Sequence, residues 1–294
     1  MTDMIAAEGA DRAQRNWVAR DAGPIRVGSD RHLALFSRML LETHNPYKPA
    51  VIDWPALDPA ARDRLVSLPI WDIAVQTEGK ASQRVKAYAA MIADPLLRKA
   101  TEMNAAEEAR HKLVLADLVA AYGITLAPEP PYPPPRHPQW AFMVTGYSEC
   151  IDSFFAFGLF EMAKRSGFFP PALVDTFEPV MQEEGRHITF FVNWVAWQRK
   201  TLPWWRKPLF QAKVMAVWAF LIWERVAIAR DVGNGGNNNF TATGTRDLGI
   251  DVTIGGLMDV CLAENERRLA GYDGRLLRPR FVPAMVRLMR RFVR

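Results

Sequence analysis

Apolar residues recur every three or four positions along most of this chain, and no stretch alternates with a period of two. That pattern predicts α-helices and no strands. Residues 1–28 read as a polar, poorly ordered lead-in. Asp30 is expected to N-cap a first helix, HLALFSRMLLETH, closed by Asn45-Pro46, and Asp58-Pro59 opens a short helix running through Leu65. Pro69 begins a long helical segment, IWDIAVQTEGKASQRVKAYAAMIA, that stops at Asp94-Pro95. Pro95 then starts LLRKATEMNAAEEARHKLVLADLVAAYG, with Gly123 as its stop. Two long helices with so short a connection should pack antiparallel.

The stretch Ala127–Pro138 (APEPPYPPPRHP) cannot be helical and reads as a stiff linker. Beyond it lies a second hairpin: a helix over Gln139–Ser166, a turn at Gly167–Pro171, and a helix over Ala172–Lys200. A Trp-rich WWRKP segment leads to a fifth long helix from Leu209 to about Asp231, followed by a polar loop at Gly233–Thr245 and a helix over Thr253–Leu269. The expected fold is all-α: a pseudo-twofold four-helix bundle at 67–200, a lead-in with short helices at 1–66, and a C-terminal helical extension at 201–294.

One pentapeptide pattern occurs twice, as Glu107-Glu108-Ala109-Arg110-His111 and Glu183-Glu184-Gly185-Arg186-His187. Glu108/His111 and Glu184/His187 stand at i and i+3, which puts carboxylate and imidazole on one helix face a turn apart. Such a pair can hold a transition-metal ion, and two pairs from two helices can hold two. A centre of that kind needs one further carboxylate from each of the other two helices. Glu78 lies nearly as far before the first turn as Glu108 lies after it, and it follows the apolar face of Trp71, Ala74 and Val75. On the third helix Glu149 and Asp152 are both at suitable depth and share a face; Glu149 is preferred for its longer reach, and Glu161 is too shallow. Helices flanked by Phe154, Phe157, Ile188, Phe191 and Trp194 should be buried. Buried acids and imidazoles are costly unless paired or metal-bound. Glu107, Arg110, Glu183 and Arg186 then have a supporting role, because a metal-bound His donates its other N–H to a carboxylate. The competing reading is that these four form ordinary surface ion pairs.

Composition changes the picture in a few places. The two cysteines, Cys150 and Cys261, show no CxxC spacing, and the N-terminus lacks a basic-then-apolar leader, so a reducing, cytoplasmic setting is expected. Net charge is +5, with Arg concentrated near the C-terminus. Val282, Met285, Val286, Met289, Phe292 and Val293 form one stripe of the tail and Arg287, Arg290, Arg291 and Arg294 the other. A basic amphipathic tail at 281–294 is suited to an anionic membrane surface, as a peripheral contact at its inner face. No nucleic-acid motif is present, so no nucleic-acid partner is expected.

The paired EE-x-RH patterns resemble the ferritin-like di-iron carboxylate superfamily over roughly residues 70–200. Within it they are most similar to acyl-carrier-protein desaturases and bacterial multicomponent monooxygenases, including the spacings from Glu78 to Glu108 and from Glu149 to Glu184. The resemblance implies a ferritin-like bundle with two Fe ions (Mn or mixed Fe/Mn also suit the donors) held by Glu78, Glu108, His111, Glu149, Glu184 and His187. It implies O2 as co-substrate, an electron-donor protein, and hydroxylation or desaturation of a hydrophobic, lipid-like substrate. Ser153 matches the hydroxyl residue those monooxygenases carry one turn after the third-helix Glu, a proton donor there. Ribonucleotide reductase small subunits place a radical Tyr where this chain has Leu115, which argues against that role. Two alternatives stand beside this expectation, a ferroxidase or iron-handling protein and a non-enzymatic helical protein at a membrane surface. A homodimer is compatible with each.

Overall fold

The structure, a computed structural model, describes residues 2–68, 70–233 and 253–293. Pro69, Arg294 and all but the first residue of the polar loop expected at Gly233–Thr245 lie outside the described residues. Eleven α-helices account for most of the described chain, with no strand among them. They are α1 (Thr2–Arg15), α2 (Asp30–Glu42), α3 (Pro59–Ser67), α4 (Trp71–Ala89), α5 (Pro95–Ala121) and α6 (Pro138–Ser166). There follow α7 (Pro171–Thr176), α8 (Glu178–Thr201), α9 (Lys207–Gly233), α10 (Ile254–Leu269) and α11 (Phe281–Met289).

Capping chemistry sets most boundaries. The Asp58 and Asp94 carboxylates accept the N–H of Ala61 and Leu97, each at 2.8 Å, with Pro59 and Pro95 in the first turn where no N–H is needed. Gly123 and Gly167 take positive φ (68° and 66°) just past α5 and α6, a conformation that carries no Cβ penalty only for glycine. The first cap differs by one residue from expectation: Ser29, not Asp30, accepts the His32 N–H, and Asp30 opens the helix.

Two larger differences have identifiable causes. The helix expected over Ala172–Lys200 is broken at Phe177, because Pro179 has no N–H to continue α7 and instead sits in the first turn of α8. The expected lead-in contains α1, which is held from a distance. Gln14 Nε2 donates to Pro179 O (2.9 Å), Arg15 pairs with Glu178 (2.9 Å), and Trp17 N donates to Gly271 O (3.0 Å).

Helices α4 and α5 form one hairpin; Ser82 Oγ donates to Ala105 O across it, which brings Glu78 nearly level with Glu108. Helices α6 and α8 run antiparallel too, as Ser153 meets Glu184 and Gly146 meets Phe191. Helix α4 also packs on α6, while α2 lies against α5 and α8, and α10 along α6. The α6–α10 crossing is close: a Cβ on Gly158 would stand 3.0 Å from Cys261 Cα. Trp194, with no exposed surface, ties the layers together by edge contacts to Tyr88 of α4, Phe142 of α6 and Phe210 of α9. Phe154, Phe157, Phe190 and Phe191 are equally buried, and their rings join helix to helix.

Candidate metal centre

The pair Glu108/His111 faces Glu184/His187 across the α5–α8 contact. One ligand atom from each of the four residues can be chosen so that all lie within 4.8 Å of one another, and the imidazole centroids are 5.6 Å apart. This buried group of carboxylates and imidazoles can bind a metal ion. His187 Nδ1 is 2.8 Å from Glu108 Oε1, and His111 Nδ1 is 3.1 Å from Glu184 Oε1 and 3.8 Å from Glu78 Oε2.

Each imidazole is held from behind by the other half of the chain. His111 Nε2 donates to Glu183 Oε2 (2.8 Å), and His187 Nε2 donates to Glu107 Oε2 (2.7 Å). A carboxylate only accepts, so these bonds place a proton on each Nε2 and turn each Nδ1 toward the cluster. The supporting acids are themselves fixed. Arg186 donates from Nη1 to both Glu107 oxygens (3.0 and 3.1 Å) and from Nε to Thr43 Oγ1 (2.6 Å), entirely out of solvent. Arg110 donates to Glu183 and to Asn45 O, and its guanidinium lies over the Tyr47 ring. His44 adds a further contact, 2.6 Å from Glu107 Oε1. The surface ion-pair reading of these groups does not hold, since Glu107, Glu183 and Arg186 have no exposed side-chain surface.

The remaining acids separate cleanly. Glu149 shares the electrostatic field of Glu108, Glu184 and Glu78, and its Oε1 is buried without a hydrogen-bond partner. Asp152 turns outward to Arg225 (2.7 Å) and Ser148 (2.8 Å), and Glu161 pairs with Arg165. Ser153 Oγ donates to Glu184 Oε2 at 3.0 Å, so its proton is committed to that carboxylate. Glu78 retains 22% of its side-chain exposure and Glu184 11%, against 2% or less for Glu108, His111 and His187. The acid nearest solvent is thus Glu78, on α4. There Tyr132, from the linker before α6, covers Gly79 so closely that a Cβ would meet its ring.

Whether the donors suit a cation can be judged from the polar atoms they leave unsatisfied. Glu108 Oε1, Glu149 Oε1, His111 Nδ1 and His187 Nδ1 are all buried and none makes a properly aligned hydrogen bond. Buried polar atoms are normally satisfied; three of these four belong to the Glu/His cluster, and Glu149, which feels the charges of Glu108 and Glu184, lies outside that tight group. The charges agree. Burial pushes the Glu78 carboxyl up to about 8, opposed by the nearby His111 imidazole and reinforced by Glu108 and Glu184. Burial, with Glu108 and Glu184, raises Glu149 well above the ordinary carboxyl range. Burial works against charge on His111 and His187, but the bond to Glu183 and the nearby Glu184 and Glu78 carboxylates for the first, and the Glu108 charge and the bond to Glu107 for the second, raise both. At these raised groups a cation would compete with a proton, while Glu184, against burial, is held below the ordinary carboxyl range chiefly by His111.

Thr43, His44 and Tyr47 escaped the sequence reading. His44 is one of five histidines, but nothing local marks it, since its partner lies 63 residues away. No protein-family model, curated protein or solved structure matches this chain.

Proposed function

We propose that this protein is a ferritin-like di-iron oxidoreductase that uses O2 and an external electron donor to hydroxylate or desaturate a hydrophobic, lipid-like substrate. The observation that carries the reading is the set of unsatisfied inward-facing donor atoms on Glu108, His111, Glu149 and His187. Glu184 and, farther out, Glu78 stand 3.1 and 3.8 Å from His111 Nδ1, which supports their inclusion as ligands. Carboxylates with one imidazole per ion suit Fe or Mn in both common oxidation states. When bound, the pair of ions supplies the reduction of O2 and the attack on an unactivated C–H bond. For hydroxylation the balance is R–H, O2, two electrons and two protons going to R–OH and water; desaturation returns both oxygens as water.

The protein's own share is positioning. Glu107 and Glu183 hold the two imidazoles with Nδ1 inward, and Arg186 and Arg110 hold those acids. Ser153 orients Glu184 and thereby leaves Glu184 one oxygen turned to His111. The aromatic layer around α6 and α8 keeps water from the far side, so substrate and O2 approach past Glu78.

Purified protein from iron-replete cells should hold about two Fe or Mn per chain, and Glu108→Ala and Glu184→Ala should each lose that loading. Retention of both ions in either variant, or no metal in the unaltered protein, overturns the site. Reductant-dependent oxidation of a lipid extract supports the oxygenase reading. O2 consumption driven by Fe(II) alone with storage of ferric product overturns it in favour of iron handling.

A further inference from the structure

Helix α9 is apolar on both of its faces. Phe210, Val214, Val217 and Leu221 are buried against the core, whereas Leu209, Met215, Ile222 and Trp223 point outward, Trp223 with 67% of its surface exposed. A helix that is apolar all round is normally covered all round, and exposed apolar surface of this extent marks an interaction site. At its start Trp204 and Trp205 stand out at 79% and 58% exposure in a turn that buries nothing. Helix α11 borders the strip, with Phe281 against Trp218 at 4.6 Å between ring centroids. The tail stripe divides there: Val282 and Val286 are buried on the body, while Met285, Met289 and Phe292 remain exposed, Phe292 by 82%.

The charge around this surface is mostly positive: the acids nearest it, Glu224, Asp152 and Asp259, are each paired with Arg225 or Arg290. No acid occurs between Glu184 and Glu224, while Arg199, Lys200, Arg206, Lys207 and Lys213 fall in that interval; no acid follows Asp273, where seven Arg do. Arg199, Lys200, Arg206, Arg280, Arg287 and Arg291 are exposed. Two copies of such a face would repel one another. No helix among the described residues is long and apolar enough to cross a membrane. Exposed Trp beside a strip of aliphatic side chains, ringed by Arg and Lys, is the composition that settles at the headgroup level of an anionic bilayer.

We propose that the exposed face of α9, with the Trp204-Trp205 turn and the outer face of α11, is a docking surface for an anionic lipid bilayer on which the protein lies without spanning it. The apolar strip enters the acyl boundary, and the flanking cations meet the headgroup phosphates. This inference stands on surface composition alone and does not depend on the metal centre.

Co-sedimentation with vesicles of phosphatidylglycerol and phosphatidylcholine in equal parts, against phosphatidylcholine alone, tests it. The full chain should bind the mixed vesicles, shift its Trp emission to the blue on binding, and release as salt rises. Ile222→Asp combined with Trp223→Asp should weaken binding by at least about tenfold with an unchanged far-UV circular dichroism spectrum. If that variant fails to fold, Trp204→Ser with Trp205→Ser, in a turn with no buried residue, reads the same effect. Deletion of 281–294 should reduce binding but leave the α9 contribution. Equal binding to neutral vesicles, no binding to either, or a stable dimer that the Asp variants dissociate would each overturn the proposal.

Discussion

Glu107→Gln isolates the most exacting interaction in the protein. The side chain has no exposed surface and accepts from Arg186 (3.0 and 3.1 Å), His187 (2.7 Å) and His44 (2.6 Å). Burial opposes its charge, but Arg186, His187 and His44 hold its pKa well below the ordinary range, so it is ionised at any working pH. The amide keeps the shape and one acceptor oxygen but removes the charge, leaving the Arg186 guanidinium without its hydrogen-bonded counter-ion; Thr43 Oγ1, Leu40 O and the amide oxygen remain as acceptors, and the Glu183 charge acts only from a distance. Stranding a buried charge in this way costs about 3–5 kcal/mol. Glu183→Gln should cost less, about 1–3 kcal/mol, because Arg110 keeps 11% exposure, the Asn45 and Tyr47 carbonyls and the Tyr47 ring. Adding Arg186→Met to Glu107→Gln removes the stranded charge and should recover more than half of the loss. Urea unfolding of chelator-treated protein, followed by circular dichroism, measures all four variants of the cycle. Equal losses for the two Glu→Gln variants, or strictly additive effects in the cycle, would refute the reasoning.

Gly158→Ala should destabilise by about 1–3 kcal/mol in the same assay, since the new methyl meets the Cys261 backbone as well as its thiol and side-chain rotation cannot relieve it. Chelation should lower the thermal midpoint, because an ion bound to the folded state alone stabilises it by mass action; an identical midpoint with and without chelator contradicts a resident metal. Asp273 sits about 2, chiefly through its bond to Arg275, against an unfolded value of 3.8. A depressed carboxyl contributes stability that is present above the unfolded value and lost as pH falls through the folded one. The gap in stability between the unaltered protein and Asp273→Asn should therefore be constant above about pH 5 and close toward pH 2; a gap that persists at the acid end disproves the assignment.

Where the chemistry is local, the sequence was readable. Asp58-Pro59, Asp94-Pro95, Gly123 and Gly167 mark helix ends because each solves its own hydrogen-bond or φ problem within a turn. The i,i+3 relation of Glu108 to His111 and of Glu184 to His187 is likewise a property of one helix. Helix α1 was not readable, because it lacks an apolar stripe and is anchored by Gln14 and Arg15 to the start of α8. The break at Phe177 was missed although Pro179 announces it; the apolar run on either side masked a one-residue signal. On the third helix, spacing alone left Glu149 and Asp152 equivalent. What separates them is Arg225, which draws Asp152 to the surface from a helix 73 residues away. The position of His44 depends similarly on the α2–α5 packing, which no periodicity encodes.

The exchange of acids between the two hairpins has a consequence for how the protein can be divided. Each hairpin carries a histidine and, beside it, a glutamate that serves the other hairpin's histidine. Cut at the proline-rich linker and separated, each piece would keep its own Glu-x-x-His ladder but lose the acceptor that orients it, and it would be left with an acid and an arginine addressed to an absent neighbour. The repeat is thus a lock in which each half holds the other's key, so damage to one side is felt on both.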